Sequence, residues 1–318
     1  MPDPWSCIAT ELDLVEKALL KSIRSAEPTL TEIAAHLIHG GGKRVRPMIT
    51  LLAFKALGGK QVEDIIEIAT ALELIHTATL LHDDIIDDAE SRRGKESAYK
   101  RYGLKSTLVT GDFLFIKAFE YAGKFDETVV QWTADACTRL TEGEILQGAF
   151  NRNIKVTLSD YLEIVKRKTA SLFQTGAKLG AYMAGASSSQ INGMDQFALN
   201  LGIAFQMVDD VLDVVGHRDL LGKPTGIDLR DGNPSLPIVL SIGNSHNRIS
   251  HTFKSAHPTG RKIKAALDAM CDGTAIDQAM AFSREYAYKA FSPIEELPPS
   301  PYLNSMKSLV QLIVERNS

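Results

Sequence analysis

Two aspartate-rich motifs with the same pattern are the part of this 318-residue chain best suited to chemistry. The first reads DDIID at residues 83–87, the second reads DDVLD at residues 209–213, and each lies at the end of a long apolar stretch with helical spacing. On a helix, the first and last aspartates of a DDxxD motif lie one turn apart on the same face. Two such faces would offer hard oxygen ligands, which suit several Mg²⁺ ions and a polyanion.

A single DDxxD motif is more often an exposed acidic helix end than a metal site. The stretch that leads into Asp83 is apolar nearly all round, however, and unpaired aspartates at the end of a buried helix would carry a large desolvation cost. The second motif follows a similar stretch, so the pair favours metal binding over two unrelated solvated helix ends.

Basic residues cluster at several places that could complement a phosphorylated substrate. Mg²⁺ prefers carboxylates together with substrate phosphate oxygens, so a metal site of this kind implies such a substrate. Each basic cluster alone would be ordinary surface charge, but the one at residues 43–46 follows a triple glycine whose backbone N–H groups can also face an anion. The cations suffice for two anionic groups, one bridged by metal and one held by protein alone. They are Lys43, Arg44, Arg46, Arg92, Arg93, Lys166, Arg167, Lys168 and Lys223.

A histidine, His76, lies two turns before Asp83 on the same helix face. A buried histidine is more often a core residue with satisfied hydrogen bonds, and the alternative here is a donor to an anion beside the metal site. His82 lies on another face and is interpreted as structural. The sequence contains no Ser-His-Asp, Cys-His or P-loop arrangement, so covalent catalysis and P-loop chemistry are not supported.

The composition is that of a globular protein without a nucleic-acid partner. Hydrophobic residues make up 44% of the chain, charged residues make up 23%, and the net charge is −4. A nucleic-acid-binding protein would be basic. No apolar run predicts a transmembrane segment, and the N-terminus lacks the features of a secretory signal. Cys7, Cys137 and Cys271 are expected to be reduced, unpaired thiols, which indicates a cytoplasmic protein.

Helical periodicity dominates the chain, and no convincing strand is predicted. Helix-breaking prolines and glycines separate the periodic stretches, and the polar segment 243–260 is interpreted as a loop. We therefore predict an all-α fold with a single domain over residues 1–318, a large bundle of about ten or more helices around a central catalytic cavity. The periodic stretches are 8–23, 47–57, 61–86, 107–122, 128–147, 158–182, 194–215, 262–270, 275–290 and 302–314.

Seven segments together resemble one known family, the trans-isoprenyl (polyprenyl) diphosphate synthases, and they occur in the family's order. They are GGGKRVRP (40–47), IHTATLLHDDIIDDAESRRGK (75–95), GDFLFIKAF (111–119), EGEILQ (142–147), KRKTASLFQTGAKLGA (166–181), FQMVDDVLD (205–213) and GKPTGIDLRDG (222–232). The resemblance implies an all-α enzyme, usually a homodimer. It also implies head-to-tail condensation of isopentenyl diphosphate onto an allylic diphosphate primer.

The same resemblance implies roles for individual residues. Asp83 and Asp87 look like ligands of two Mg²⁺ ions on the allylic diphosphate, and Asp209, helped by Asp213, looks like the anchor of a third; Mn²⁺ could substitute. Other residues look like contacts to the two substrates. Those of the allylic diphosphate site are Arg92, Lys168 and Lys223, with Thr169 and Gln206 near the reacting carbon, and those of the isopentenyl diphosphate site are Lys43, Arg46, His76 and Arg93. Many relatives carry a lysine where this chain has Asn233, so one allylic-site cation is missing or supplied by another residue.

Product length is expected to depend on small residues one turn before the first motif. Ala78 and Thr79 lie roughly 6–8 Å along the helix from Asp83, where short-product relatives usually place an aromatic side chain. The resemblance therefore predicts a cavity that continues towards Ile75 and a product of about thirty carbons or more. The alternatives are that these residues merely pack against a neighbouring helix, or that a bulky residue elsewhere closes the cavity.

Several other functions compete with this one. A medium-chain synthase for farnesyl or geranylgeranyl diphosphate would share the motifs, as would the catalytic subunit of a heteromeric synthase. A class I terpene cyclase usually lacks the second DDxxD and has no isopentenyl diphosphate site, and a non-catalytic subunit generally lacks intact motifs. An integral-membrane aromatic prenyltransferase would need many spanning helices.

Overall fold

The computed structural model describes residues 5–216, 225–243 and 247–315. The fold is all-α, as predicted, and the sheet within the described residues is a single two-stranded hairpin, β1 (Ser91–Arg92) and β2 (Lys95–Glu96). The helices up to residue 150 are α1 (Ala9–Ser22), α2 (Pro28–Ile38), α3 (Val45–Ala56), α4 (Glu63–Ile86), α5 (Ala98–Tyr102), α6 (Leu104–Ala122) and α7 (Glu127–Phe150).

The second half of the chain is equally helical. A π-helical segment, Lys166–Ala170, interrupts one long helical run between α8 (Leu158–Val165) and α9 (Ser171–Met183). Later helices are α10 (Ser188–Val215), α11 (Ile227–Asp231), α12 (Leu236–Gly243), α13 (Asn247–Lys254), α14 (Gly260–Cys271), α15 (Ala275–Phe291) and α16 (Pro301–Glu315).

The chain forms two compact units. Unit 1 comprises residues 1–137, 172–195 and 296–306, and unit 2 comprises residues 138–171, 196–295 and 307–318. The assignment of residues 1–318 to one functional domain stays a prediction.

Helix α4 is the central helix of unit 1, and its side chains are buried on most of its surface. Its main neighbour, α6, faces it with small residues that allow a close approach. A Cβ atom at Gly111 of α6 would lie 2.1 Å from the His82 ring of α4. Because α4 is surrounded by protein, its apolar sequence reflects a core position. By length and composition α4 could also cross a membrane, but 72% of its most apolar window is buried inside the protein.

A second close approach in unit 1 joins α9 to α3, the helix that follows the glycine-rich turn. A Cβ atom at Gly180 would lie 2.4 Å from the backbone oxygen of Thr50, and one at Gly176 would lie 2.6 Å from the Thr50 hydroxyl. Glycines one turn apart therefore let the two helices touch backbone to backbone, which fixes the position of α3.

Unit 2 has a core in which residues of α8, α10, α12 and α15 pack together. Helix α8 begins with a capping box, because the Thr157 side chain accepts from the Asp160 N–H and the Asp160 side chain accepts from the Thr157 N–H. Tyr161, in the first turn after this box, is 2% exposed and packs in the same core. The capping box thus fixes where Tyr161 enters the core.

Two local predictions differ from the structure. The segment 243–260, predicted as a loop, contains α13, whose buried residues Ile249 and Phe253 lie one turn apart. Its other residues are polar, so the apolar periodicity was too weak to indicate a helix. The hairpin β1–β2 was also not predicted, because each strand has only two residues and cannot show an alternating pattern.

Candidate active site

The first aspartate motif lies at the C-terminal end of α4, and Asp87 is the C-cap residue of that helix. The last turn of α4 carries no basic residue, and the helix dipole places negative charge there. A group of carboxylates at this end is electrostatically unfavourable unless cations are close. Asp83 and Asp87 are both partly accessible, as a ligand that must meet a substrate-bound metal would need to be.

Asp84, between the two predicted metal ligands, is fully buried and forms an ion pair with Arg92. The Arg92 Nε donates to Asp84 Oδ1 at 2.5 Å, while Asp84 Oδ2 is buried without a hydrogen-bond partner among the described residues. Arg92 was predicted to contact the allylic diphosphate. The ion pair holds its guanidinium beside the aspartate motif, where that contact would occur.

The hairpin β1–β2 carries both arginines of the RR pair. Its turn consists of Arg93 and Gly94, which both have positive φ values, 54° and 76°, as in the tight turns that join two-stranded hairpins. Two contacts hold the hairpin in place: the Ser97 hydroxyl donates to the Ala89 carbonyl at 2.5 Å, and the His36 ring Nε2 lies 2.9 Å from the Glu96 carbonyl. Arg93 is not a glycine, so its left-handed conformation costs energy and persists because the surrounding contacts hold it in place.

The glycine-rich turn at residues 40–44 contacts a buried carboxylate of α4, Glu73. Arg44, at φ 50°, donates to Glu73 at 3.0 Å and also binds Glu16. A Cβ atom at Gly42 would lie 3.1 Å from the Arg93 guanidinium and 3.2 Å from that of Arg44. The missing side chain at this glycine therefore leaves room for two arginines beside the turn.

The predicted isopentenyl diphosphate residues lie on four adjoining elements of unit 1. Arg46, in the first turn of α3, lies over the Phe173 ring at 5.0 Å, and Lys43 in the turn is exposed. Burial lowers the pKa of His76 well below its ordinary value, and the positive charges of Arg46 and Arg93 lower it further. Burial also lowers the pKa of Arg93 and raises that of Glu73. His76 is therefore neutral at pH 7, able to donate one hydrogen bond without adding charge.

The second aspartate motif lies near the C-terminal end of α10 in unit 2, and its middle and last aspartates both accept hydrogen bonds. Asp210 is buried and accepts from Tyr161, from Gln206 and from the Leu236 N–H. The two oxygens of Asp213 accept from the first N–H groups of α11, Ile227 and Asp228, at 3.1 Å each. Asp213 thus fixes the start of α11, in addition to the metal role that stays a prediction for it.

The acidic residues of unit 2 fit a hard cation. Burial raises the pKa of Asp210 to about 6, and the negative charge of Asp209 adds to this shift. Burial also raises the pKa of Asp228 well above its ordinary value, with further contributions from Asp213 and Asp210. A divalent cation would offset this repulsion. Within the described ranges, no group of three or more His, Cys, Asp or Glu side chains is placed to hold an ion alone.

The π-helical segment between α8 and α9 carries two of the residues predicted at the allylic site, Lys168 and Thr169. Lys168 forms an ion pair with Glu144 at 2.5 Å, and the Thr169 hydroxyl donates to Gln206 Oε1 at 2.8 Å. Segments of this kind are frequent at functional sites. Lys223 lies outside the described residues. Asn233 accepts a hydrogen bond from Gln147 at 3.1 Å and supplies no charge.

The residues predicted to set product length are small or buried in α4. Ile75 and Ala78 are fully buried, and the Thr79 hydroxyl donates back to the His76 carbonyl at 2.8 Å. None of the three places an aromatic ring one turn before Asp83.

Four residues that contact the predicted site were missed: Glu73, Glu144, Tyr161 and Asp228. Glu73 had a usable signal, because a lone carboxylate inside an apolar helix must meet a cation. Glu144 lies in the segment EGEILQ (142–147) but was not singled out. Tyr161 had no signal, since its partner Asp210 lies far away in the sequence.

Several known proteins are similar to this chain over most of its length. The family model described as Polyprenyl synthetase matches residues 27–270. The octaprenyl diphosphate synthase of Haemophilus influenzae is 33% identical over 311 residues, covering 96% of this chain and 94% of that protein. The heptaprenyl diphosphate synthase component 2 of Bacillus subtilis is 32% identical over 317 residues, covering 98% of this chain and 90% of that protein.

Solved structures are similar over the full chain. A polyprenyl synthase from Caulobacter crescentus, complexed with calcium and isoprenyl diphosphate, has a TM-score of 0.94 and 32% identity, covering 99% of this chain and 97% of that chain. A geranylgeranyl pyrophosphate synthetase from Pyrococcus horikoshii has a TM-score of 0.90 and 31% identity, covering 99% and 98% of the two chains.

Proposed function

The chain belongs to the polyprenyl synthetase family and is a trans-prenyltransferase, and from that premise we propose its substrates, metal, product and assembly. We propose that it condenses isopentenyl diphosphate head-to-tail onto an allylic diphosphate with Mg²⁺ and makes a product of about thirty carbons or more. The observation that carries this proposal is the set of charges at the end of α4. The carboxylates of the first motif lie there beside Arg92, which pairs with Asp84, and the charges of Arg46 and Arg93 act on His76 two turns earlier.

Four aspartates would hold the metal. Asp83 and Asp87, one turn apart on α4, are the proposed ligands of two Mg²⁺ ions, and Asp209, helped by Asp213, is the proposed anchor of a third. Bound Mg²⁺, or Mn²⁺ in its place, would act as a Lewis acid that stabilises the departing diphosphate. The raised pKa values of Asp210 and Asp228 support a cation beside the second motif, because a cation would favour their charged forms.

Two sets of protein residues would hold the two substrates. Arg92, Lys168 and Lys223 are proposed to bind the allylic diphosphate through charge-assisted hydrogen bonds. A second set is proposed to bind isopentenyl diphosphate without metal: Lys43, Arg46 and Arg93 as cations and His76 as a neutral donor. The left-handed conformations of Arg44 and Arg93 support this proposal, because they fix the turn and the hairpin before substrate arrives.

The protein residues would also steer the carbocation chemistry. When the allylic carbon–oxygen bond breaks, the hydroxyl oxygen of Thr169 and the amide of Gln206 are proposed to stabilise the positive charge on the allylic carbon. The double bond of isopentenyl diphosphate then attacks that carbon, and the released diphosphate accepts the proton lost afterwards. Apolar side chains that exclude water would protect the cation from hydrolysis.

A long product is supported by the small side chains one turn before the metal ligands. Ala78 adds only a methyl group at a fully buried position, and Ile75 lies one turn further along α4. The octaprenyl and heptaprenyl relatives agree with a long product, whereas the geranylgeranyl synthetase structure keeps a medium product as the second candidate.

A homodimer is supported by an apolar strip on the exposed side of α6. Leu104 is 55% exposed, Leu108 is 46%, Val109 is 53% and Ile116 is 60%. These large apolar side chains, interrupted by the exposed Asp112, form a surface that a second copy of the chain would cover. Cys7, Cys137 and Cys271 form no disulfide in the described part of the chain, which supports a proposed cytoplasmic location. The similarity to component 2 of a heptaprenyl synthase favours, as the alternative, a catalytic subunit that needs a partner.

The decisive experiment incubates the purified protein with radiolabelled isopentenyl diphosphate, Mg²⁺ and allylic primers of increasing length, followed by chromatography of the products. We expect elongation without a second protein and a principal product of about thirty carbons or more. Elongation that stops at a medium product would support the geranylgeranyl alternative. A protein that elongates only after a partner subunit is added would be the catalytic half of a heteromer, and elongation under no condition would contradict the proposed function.

A further inference from the structure

A continuous chain of hydrogen bonds in unit 2 connects a buried tyrosine to the predicted allylic site. The Tyr161 hydroxyl donates to Asp210 Oδ2 at 2.8 Å, and Gln206 Nε2 donates to Asp210 Oδ1 at 2.8 Å. Gln206 Oε1 in turn accepts from the Thr169 hydroxyl at 2.8 Å. The Leu236 N–H, at the start of α12, also donates to Asp210 Oδ2 at 2.9 Å. Asp210 therefore receives three donors, from α8, α10 and α12.

The direction of each hydrogen bond follows from chemistry. An ionised carboxylate only accepts, so Gln206 must turn its NH₂ group towards Asp210 and its oxygen towards Thr169. Thr169 must then use its single hydrogen on Gln206. Its remaining lone pairs face away from that bond, which leaves the threonine oxygen as an acceptor for an electron-poor group. Because every hydrogen bond in this series has only one possible direction, the series fixes the orientation of the Thr169 hydroxyl dipole at its end.

The tyrosine is the part of this chain that is held most firmly by packing. Its ring is buried in the core of unit 2 together with Val165, Met207, Leu236 and Met280. The capping box at Thr157 and Asp160 fixes the start of its helix. A side chain held by its ring and by its helix loses little further entropy when its hydroxyl forms a hydrogen bond, so it can hold Asp210 in one rotamer.

We propose that Tyr161 is a positioning residue for the condensation. Its hydroxyl holds Asp210, Asp210 orients the amide of Gln206, and Gln206 directs the Thr169 oxygen at the reacting allylic carbon. This inference rests on the proposed function, in which Thr169 and Gln206 lie beside that carbon. The proposal gives the two aspartates at the start of the second motif different roles. Asp209 would bind the metal, whereas Asp210 would orient the side chains of Gln206 and Thr169.

The test is a double-mutant cycle with Tyr161→Phe, which removes only the hydroxyl, and Thr169→Val, which keeps the shape of Thr169 without its oxygen. Tyr161→Phe is expected to lower kcat on the order of 10-fold and to leave the KM for the allylic primer unchanged, because the diphosphate contacts remain. In the Thr169→Val background the same substitution should change kcat less than about 2-fold, because the oxygen it positions is gone.

The matched control is Tyr182→Phe, which removes a tyrosine hydroxyl that donates to another carboxylate, Asp126, at 2.6 Å in unit 1. This variant should keep the wild-type kcat. Equal losses of kcat from Tyr161→Phe in the two Thr169 backgrounds would overturn the proposal, as would an unchanged kcat. A Tyr161→Phe protein that fails to fold would also overturn it, since the hydroxyl would then serve stability rather than positioning.

A second measurement on the metal-free protein does not depend on turnover. The side-chain NH₂ signals of Gln206, assigned by their loss in Gln206→Glu, are expected to shift in Tyr161→Phe and to stay unchanged in Tyr182→Phe. Signals unaffected by Tyr161→Phe would contradict the hydrogen-bond chain itself. If these signals shift but the wild-type protein shows no elongation, the proposed function fails while the orientation of Gln206 stands.

Discussion

His76 shows how strongly the environment of one residue sets its chemistry. Burial and then Arg46 and Arg93 lower its pKa well below the ordinary value, so the folded protein resists protonation of the ring. In the unfolded chain the same ring takes up a proton near its ordinary pKa of about 6.5. Below that pH the unfolded state binds more protons than the folded state, and stability is lost as the pH falls.

His76→Gln should therefore weaken the dependence of stability on pH. The wild-type free energy of unfolding is expected to fall between about pH 7 and pH 5.5, with up to about 1.4 kcal/mol per pH unit contributed by His76. Glutamine does not titrate, so the variant should lose that contribution in urea denaturation at each pH. The exposed His39, changed to Gln, serves as the control. Identical pH dependence in wild type and His76→Gln would contradict this account.

Ala78→Phe is expected to shorten the product. A phenyl ring at this fully buried position, one turn before Asp83, would occupy the space proposed for the growing chain. Chromatography of the radiolabelled products measures the shift, and thermal unfolding shows whether the ring is tolerated. Ala78→Ser, which adds one oxygen, should leave product length close to that of the wild type. A folded Ala78→Phe enzyme with wild-type products would place the end of the cavity elsewhere.

Individual site residues differed in how far the sequence could predict them. The aspartates and the arginine pair were predictable because motif spacing on a helix determines which side chains share a face. Glu73, the partner of Arg44, had a signal that was missed, a lone carboxylate in an apolar helix. Tyr161, the partner of Asp210, was not predictable, because that contact joins elements far apart in the sequence. The left-handed conformation of Arg44 was also unpredictable, because a positive φ is usually expected only at glycine.

The contact between α3 and α9 determines where Arg46 lies, so a change in this contact should affect both stability and substrate binding. In Gly180→Ala the new methyl group would meet the Thr50 carbonyl, and backbone atoms cannot move aside as a flexible side chain can. We expect a loss of about 1–3 kcal/mol in chemical denaturation and a higher KM for isopentenyl diphosphate, with the KM of the allylic primer less affected.

Gly148→Ala provides the matched control, because nothing lies within 4 Å of the added Cβ in the exposed part of α7. That substitution should stabilise the helix by about 0.5–1 kcal/mol and leave both KM values unchanged. If Gly180→Ala had the same free energy of unfolding as the wild type, α3 and α9 could move apart without loss of stability, which would contradict this prediction.

Long apolar elements were predictable, and short polar ones were not. Helix α4 was predicted within two residues at its start and without error at its end, because its apolar periodicity extends over many turns. Helix α13 and the hairpin β1–β2 escaped prediction because tertiary contacts, rather than a local pattern, define them. The contacts of Gly176 and Gly180 with Thr50 cannot be read from the sequence. Two glycines inside a periodic stretch only lower its helix propensity and so argue against a helix there.

Self-association is the property of the whole molecule that the exposed strip on α6 predicts. Replacing Leu108 and Ile116 together by arginine should convert the proposed dimer to a monomer, because like charges would face each other across a two-fold interface. Analytical ultracentrifugation measures the mass. Leu20→Arg, at another exposed leucine, is the control and should keep the wild-type mass. If the wild-type protein sediments as a monomer, the apolar strip on α6 is not a dimer interface.

Arg44 also bears on the temperature at which the enzyme works. Its left-handed backbone costs about 1–2 kcal/mol, and its ion pairs with Glu73 and Glu16 offset that cost. The desolvation penalty of such pairs falls as temperature rises, so the turn that carries Lys43 keeps its shape when warmed. A glycine at this position would remove both the strain and the ion pairs. This single residue therefore links the thermal behaviour of the turn to its ion pairs without touching the proposed catalytic groups.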